Sequence, residues 1–268
     1  TLFRSHAQNQ RVHIPPPQPF RAIFPGRLHQ PHNAAQIQRD AGVIDPGTID
    51  INGYLIRGRG RTILVDAGTG GSVLETSLRA AGTAPDDVDT VLLTHAHPDH
   101  IGGLLTAAGT PAYPNAMVFL PSRESAYWLA PSTLDNASDR GQRNVLLVRR
   151  IMAICATQIR DIDEDEPVAG IRPCPLPGHT PGHTGYRLEA GGTSLLIWGD
   201  IVHFPSIQSA RPEVSVAFDV DPDQARHTRE SLLRQAASER WLIAGMHLGL
   251  PGFARVENTA SGYCLRPV

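Results

Sequence analysis

The sequence runs to 268 residues, 41% of them hydrophobic, enough apolar material to bury one sizeable core or two fused halves of one. Its formal net charge of −2 gives no basic footprint for nucleic acid, and no run of about 18 or more apolar residues occurs, so no membrane span is expected. Cys155, Cys174 and Cys264 are odd in number and lack metal-like spacing, so they read as small buried hydrophobes and define no disulfide framework.

The first 45 or so residues read as an arm distinct from a folded domain over 46–268. Pro15-Pro16-Pro17, Pro19, Pro25 and Pro31 stand there among glutamines, which favours an extended chain. His6, His13, His29 and His32 lie in it without periodicity and read as solvent-exposed. The sequence does not begin with Met, and no charged start precedes an apolar core, so a signal peptide is expected to be absent or already lost. Thr1-Leu2-Phe3-Arg4-Ser5 resembles a translated sequencing-adapter read, which leaves the true N-terminus and the compartment open.

From Asn52 the pattern becomes strand, turn, strand: Tyr54-Leu55-Ile56, Arg57 to Gly60, then Thr62 to Val65, a hairpin. Ser72 is expected to cap a helix through about Ala81, with Glu75 completing a capping box and Gly82 stopping it. A strand at 91–94 follows, and Gly102-Gly103 are expected to let the chain pass close to bound ions before a short helix. Residues 141–159 are apolar at helical spacing, and the acidic stretch Asp161 to Glu166 reads as a solvated loop. Strands near 185–189 and 193–198 form a second hairpin through Gly191-Gly192, and Pro222 opens a helix to about Ala237.

The strand at 91–94 ends in His95-Ala96-His97-Pro98-Asp99-His100, which places four metal-binding side chains in six residues. Imidazole and carboxylate suit a borderline cation such as zinc, and crowding them without an ion would leave repelling or unsatisfied polar groups. Further ligands are sought beside later apolar strands: His179 in Pro177-Gly178-His179-Thr180-Pro181-Gly182-His183, Asp200 after Leu195 to Gly199, and His247 after Trp241 to Met246.

The motif His-x-His-x-Asp-His, followed in order by His179, Asp200 and His247, resembles the metallo-β-lactamase superfamily over about residues 50–255. The resemblance implies an α/β fold, a four-layer αβ/βα sandwich with a two-metal site. It implies that His95, His97 and His179 hold one metal, that Asp99, His100 and His247 hold the other, and that Asp200 bridges them. Asp66, in Ile63 to Gly68, matches a family position that orients a ligating histidine. The family takes His179 as the ligand of its motif, so His183 reads as structural; His203 lies near the site without a role. Two such cations, zinc or else manganese, iron or cobalt, would lower the pKa of a bridging water from far above neutrality to roughly 7 and polarise the bond it attacks. Asp99 would position that hydroxide and pass a proton to the leaving group.

Substrate class follows from finer features. β-Lactam-cleaving branches carry cysteine or serine where this sequence has Asp200, whereas lactonases, glyoxalase II, ribonuclease Z and phosphotriesterases of the fold carry aspartate. A ribonuclease would add a basic exosite, against the charge balance, and glyoxalase II a C-terminal helical region, where only a short segment follows His247. Arg211 to Asp219, His247 to Phe253 and Gly262-Tyr263 are similar to the methyl parathion hydrolase branch. Trp128 falls at a pocket tryptophan of that branch, and Phe204, Phe218 and Leu250 are further candidates for an apolar wall suited to a small neutral ester, lactone or phosphotriester. Several of the branch's other aromatic positions are unmatched. The expectation is a dinuclear metal hydrolase of lactones or aryl esters, with organophosphate triesters as a main or side activity and a homodimer by analogy. The alternatives are a β-lactamase or a non-catalytic metal-binding module; a flavodiiron-type oxidoreductase would need glutamate in the first motif and a flavin domain.

Overall fold

Residues 6–13, 39, 48–190, 192–260 and 262–268 are described by the computed structural model. Strands β1 (His6–His13), β2 (Thr48–Gly58), β3 (Arg61–Val65), β4 (Thr90–Leu92), β5 (Met117–Pro121) and β6 (Ile159–Ile162) form one sheet in that order. A second sheet has the order β12-β11-β10-β9-β8-β7, where β7 is Ile171–Pro175, β8 Thr184–Ala190, β9 Thr193–Ile197, β10 Leu242–Ala244, β11 Phe253–Thr259 and β12 Gly262–Pro267. With helices between the strands, this is the mixed α/β architecture expected. The chain divides into two compact units, Thr1–Gln10 with Asn52–Cys174 and Arg11–Ile51 with Pro175–Val268. Pro15 to Pro31, His29, His32 and Gly191 lie outside the described residues, as do the side chains of His6 and His13.

In the first unit the expected hairpin forms, with β2 antiparallel to β3 from Tyr54↔Val65 to Gly58↔Arg61. β3, β4 and β5 then run parallel to one another, and every residue of β4 is buried, as a strand covered on both faces requires. Their apolar side chains join one core with helix α4 (Asp139–Ile154), which contributes Val145, Val148, Ile151 and Met152 at helical spacing. The helix expected over 141–159 therefore starts two residues earlier and stops at Ile154. Cys155 and Ile159 still pack on the core after the helix has ended, so the apolar spacing outlasts the helical backbone.

Three other local expectations are corrected. In helix α1 (Ser72–Ala80) the cap position is Gly71, with no side-chain cap; Ser72 is the first helical residue and Glu75 pairs with Arg79 at 2.9 Å. Gly82, at φ 73°, does follow the helix end. Helix α2 (Pro98–Ile101) precedes the glycine pair instead of following it. The pair is required by close backbone approach: a Cβ on Gly103 would lie 1.9 Å from the Ala67 carbonyl oxygen, and one on Gly102 2.6 Å from that of Thr69. Gly103→Ala is expected to destabilise the protein by about 1–3 kcal/mol, because neither backbone can move without disturbing β3 or α2; a denaturant midpoint equal to the parent's would refute this. Of the cysteines, Cys155 is buried as expected but Cys174 and Cys264 are half-exposed.

In the second unit β8 and β9 are antiparallel, β9 and β10 parallel, and β10 to β12 antiparallel. Helix α5 (Pro222–Glu239), capped by Asp221, turns Ala225, Arg229, Leu232, Leu233 and Ala236 inward. Gly178, at φ 127°, brings the turn before His179 against the start of this helix, where a Cβ would meet the Ala225 nitrogen at 2.1 Å. Each unit thus has parallel neighbouring strands, β3–β4 in one and β9–β10 in the other, whose carboxyl ends lead to the candidate ligands.

Candidate metal centre

At the end of β3, Asp66 is buried and left-handed at φ 57°, and its carboxylate organises the loop that leaves β4. Oδ1 accepts the Thr94 amide at 2.7 Å, and Oδ2 accepts the Thr94 hydroxyl at 2.7 Å. Having given its proton to Asp66, the Thr94 hydroxyl can only accept from His95 Nδ1, 3.1 Å away. Asp66 Oδ2 also lies 2.6 Å from His100 Nδ1. Burial pushes the Asp66 carboxyl above its ordinary range, against the pull of His100 and Thr94.

These bonds fix tautomers. His95 and His100 each carry the proton on Nδ1 and a lone pair on Nε2. His95 Nε2 faces His97 Nδ1 at 3.0 Å, and His100 Nε2 faces Asp99 Oδ2 at 3.6 Å. A lone-pair nitrogen aimed at a carboxylate oxygen, as His100 Nε2 is at Asp99, suits a cation between them.

The second unit repeats the logic. His183 Nδ1 lies 2.8 Å from the Leu176 carbonyl, which can only accept, so Nε2 is free of its proton and takes the Asp200 amide at 2.9 Å. That bond gives His183 a structural task, aiming Asp200. His247 Nδ1 likewise donates to the Asp50 carbonyl at 2.7 Å, and His179 Nδ1 to Asp219 Oδ1 at 2.9 Å. Their Nε2 atoms lie 2.9 Å and 3.6 Å from Asp200 Oδ2. Burial pushes His179 down to about 4, although its bond to Asp219 opposes this, so at neutral pH it offers a lone pair. Burial alone would raise Asp219; the His179 bond and the charges around it, Arg229 included, hold it below its ordinary value. A buried carboxylate oxygen faced by lone-pair nitrogens fits a divalent cation, which would displace any proton held there.

His203 stands closer than its sequence position declared: Nε2 is 3.1 Å from Asp200 Oδ2, and its ring stacks on His247 at 4.8 Å. His179, Asp200 and His203 offer ligand atoms all within 4.8 Å of one another. The loop after Asp200 is held by two buried side chains. Gln208 accepts the His203 and Phe204 amides at 2.7 and 2.9 Å, and Arg229 donates to the Ile201, Pro212 and Val214 carbonyls.

The apolar candidates divide. Trp128, in helix α3 (Ser122–Leu129), is 3% exposed and sets its indole edge-on to His97, centroids 5.5 Å apart. Phe218 is half-buried, 6.2 Å from the His203 ring, and Phe204 is half-buried beside it in sequence. Leu250 is 64% exposed. Sequence reading gave no role to Thr94, Glu124, Asp219, Gln208 or Arg229. Asp219 lies in a segment already singled out, but only the tertiary bond to His179 reveals its part.

A family model described as the metallo-beta-lactamase superfamily matches residues 46–247. The uncharacterized protein YobT of Bacillus subtilis (strain 168) is 26% identical over 191 residues, 71% of this chain and 78% of that protein. A crystal structure of the hydrolase AbOPH, in the beta lactamase superfamily, superposes with a TM-score of 0.84 at 28% identity, covering 98% of this chain and 93% of that one. AidC, a dizinc quorum-quenching lactonase solved with its product, gives 0.84 at 24% identity with the same coverage.

Proposed function

Because the chain belongs to the metallo-beta-lactamase superfamily, we propose that it is a two-metal hydrolase that opens lactones or cleaves aryl esters, with organophosphate triesters as a main or side activity. The observation that carries this reading is Asp200: a carboxylate, where β-lactam-cleaving branches have cysteine or serine, with His247, His203 and His179 turned on one of its oxygens.

His95, His97 and His179 would hold one cation and Asp99, His100 and His247 the other, with Asp200 shared. Zinc suits this donor set, and manganese, iron or cobalt would be accepted by it. When bound, such a pair activates water at neutral pH and polarises the carbonyl or phosphoryl oxygen under attack. The protein's own groups do the rest. Asp66, Asp219 and the Asp50 carbonyl hold the His100, His179 and His247 rings in one tautomer, which would limit their reorganisation during reaction. Asp99, with 32% of its side chain exposed, would orient the attacking water and move its proton to the leaving group. Trp128, Phe204, Phe218 and Leu250 would give a wall without charge, which favours neutral substrates of the kind the methyl parathion hydrolase branch takes.

The test is kcat/KM of the zinc-loaded protein on an aryl lactone, an aryl ester, methyl parathion and a cephalosporin, each beside a chelated control. Preference for one of the first three, with at least a ~100-fold loss on chelation, is expected. Cephalosporin turnover above the others would overturn the reading in favour of a β-lactamase. A protein that binds neither zinc nor manganese would overturn the enzyme altogether.

A further inference from the structure

Glu124 lies in the first turn of α3, completely buried, where a helical glutamate would ordinarily face water. One of its oxygens, Oε1, accepts two hydrogen bonds: the Ala96 amide at 3.1 Å and the Trp128 indole N–H at 2.7 Å. Ala96 is the middle residue of His95-Ala96-His97, and the Trp128 ring sets its edge against His97. A single carboxylate oxygen therefore joins the backbone between two histidines to the aromatic ring beside one of them.

From this geometry we infer that Glu124 is a positioning residue that locks Trp128 to the histidine loop, so that the substrate wall and the metal ligands keep one spacing. Both donors are buried and need an acceptor; an aliphatic side chain at 124 would orphan the two together. A buried carboxylate is costly to desolvate, and a charged acceptor holds its donors more tightly than a neutral one, which is the return for keeping it there. The inference rests on the reading of His95 and His97 as ligands and Trp128 as substrate wall.

Amide hydrogen exchange of the metal-free full chain tests the lock without any activity. In Glu124→Ala the segment 94–97 is expected to exchange about tenfold faster, while the β8–β9 hairpin is unchanged; Glu124→Gln, which keeps an acceptor oxygen, stays within about threefold of the parent. In the zinc-loaded protein, Glu124→Ala should raise KM for the preferred substrate about tenfold with a smaller change in kcat, and bound zinc should be retained. Trp128→Phe, which keeps a ring but loses the N–H, should then alter KM far less in the Glu124→Ala background than in the parent. If Glu124→Ala does not fold, Glu124→Asp, one methylene short of both donors, carries the same measurements. Parent-like exchange at 94–97 in a folded Ala or Asp variant, or additive KM effects, would overturn the lock. A parent without hydrolytic activity would sink the hydrolase reading alone, since the exchange result still decides for or against Glu124.

Discussion

Asp200→Asn is expected to lower kcat/KM on the preferred substrate about a thousandfold, equivalent to ~4 kcal/mol of transition-state stabilisation, and to reduce bound metal per chain. The side chain is nearly isosteric, so the loss isolates chemistry from packing. His247 Nε2 and His179 Nε2 are the lone-pair nitrogens of rings whose Nδ1–H groups donate to the Asp50 carbonyl and the Asp219 carboxylate, and both face Asp200 Oδ2. An amide can present an N–H to one of them and make a neutral hydrogen bond where the parent would hold a cation. The carboxylate's charge, needed to offset two divalent ions, is then gone. In the metal-free protein the effect should be small or reversed, since Asp200 is 2% exposed and a buried charge without its cation is costly. Comparing thermal midpoints with and without zinc separates the two: parent stabilisation by zinc should exceed that of the variant. A variant with parent-like metal content and activity within about tenfold would sink Asp200 as a shared ligand.

The fold and the histidine cluster after β4 are legible because their signals are local. Val91-Leu92-Leu93 is an apolar run ending in a dense histidine motif, and both hairpins show strand patterns around glycine turns. Helix limits were read less well where local rules compete with tertiary ones. Ser72 has the right chemistry for a cap, but Gly71 takes the cap position, and the apolar spacing past Ile154 serves the core after the helix has stopped. Gly102 and Gly103 were noticed, yet their reason is the backbone at 67–69 and could not be read from neighbours in sequence. Glu124 and Arg229 were the least legible. Each is a charged residue on a helix, a pattern that reads as solvent-facing, and each is buried where it meets backbone from a loop distant in sequence, Ala96 for Glu124 and Ile201 for Arg229.

Arg229→Met should cost about 3–5 kcal/mol of stability, a drop of roughly 10 °C in Tm, and loosen metal binding about 10–100-fold. Arg229 Nε donates to Ile201 O at 2.6 Å, and Nη1 donates to Pro212 O at 2.6 Å and Val214 O at 2.8 Å. Nη2 stands 3.6 Å from Asp219 Oδ2, close enough to supply countercharge though too far for a strong hydrogen bond. Methionine fills comparable length but removes the guanidinium donor from the Ile201 and Pro212 carbonyls, leaves the Val214 carbonyl with Gln208, and leaves Asp219 without its cation. The stability loss comes first from the acceptors that lose their donor. The metal effect follows by a different route: Asp219 accepts from His179 Nδ1 and from the Val216 amide, so once its counter-ion is lost, the carboxylate no longer fixes the His179 ring. Ile201 directly follows Asp200, so the same substitution frees the backbone beside Asp200. Arg229→Lys should recover part of the stability through its charge but little of the carbonyl network, because an ammonium cannot span acceptors that the guanidinium fork reaches in one plane. A Met variant that melts within about 2 °C of the parent, or binds zinc with parent affinity, would show that the 201–219 loop holds its shape without Arg229.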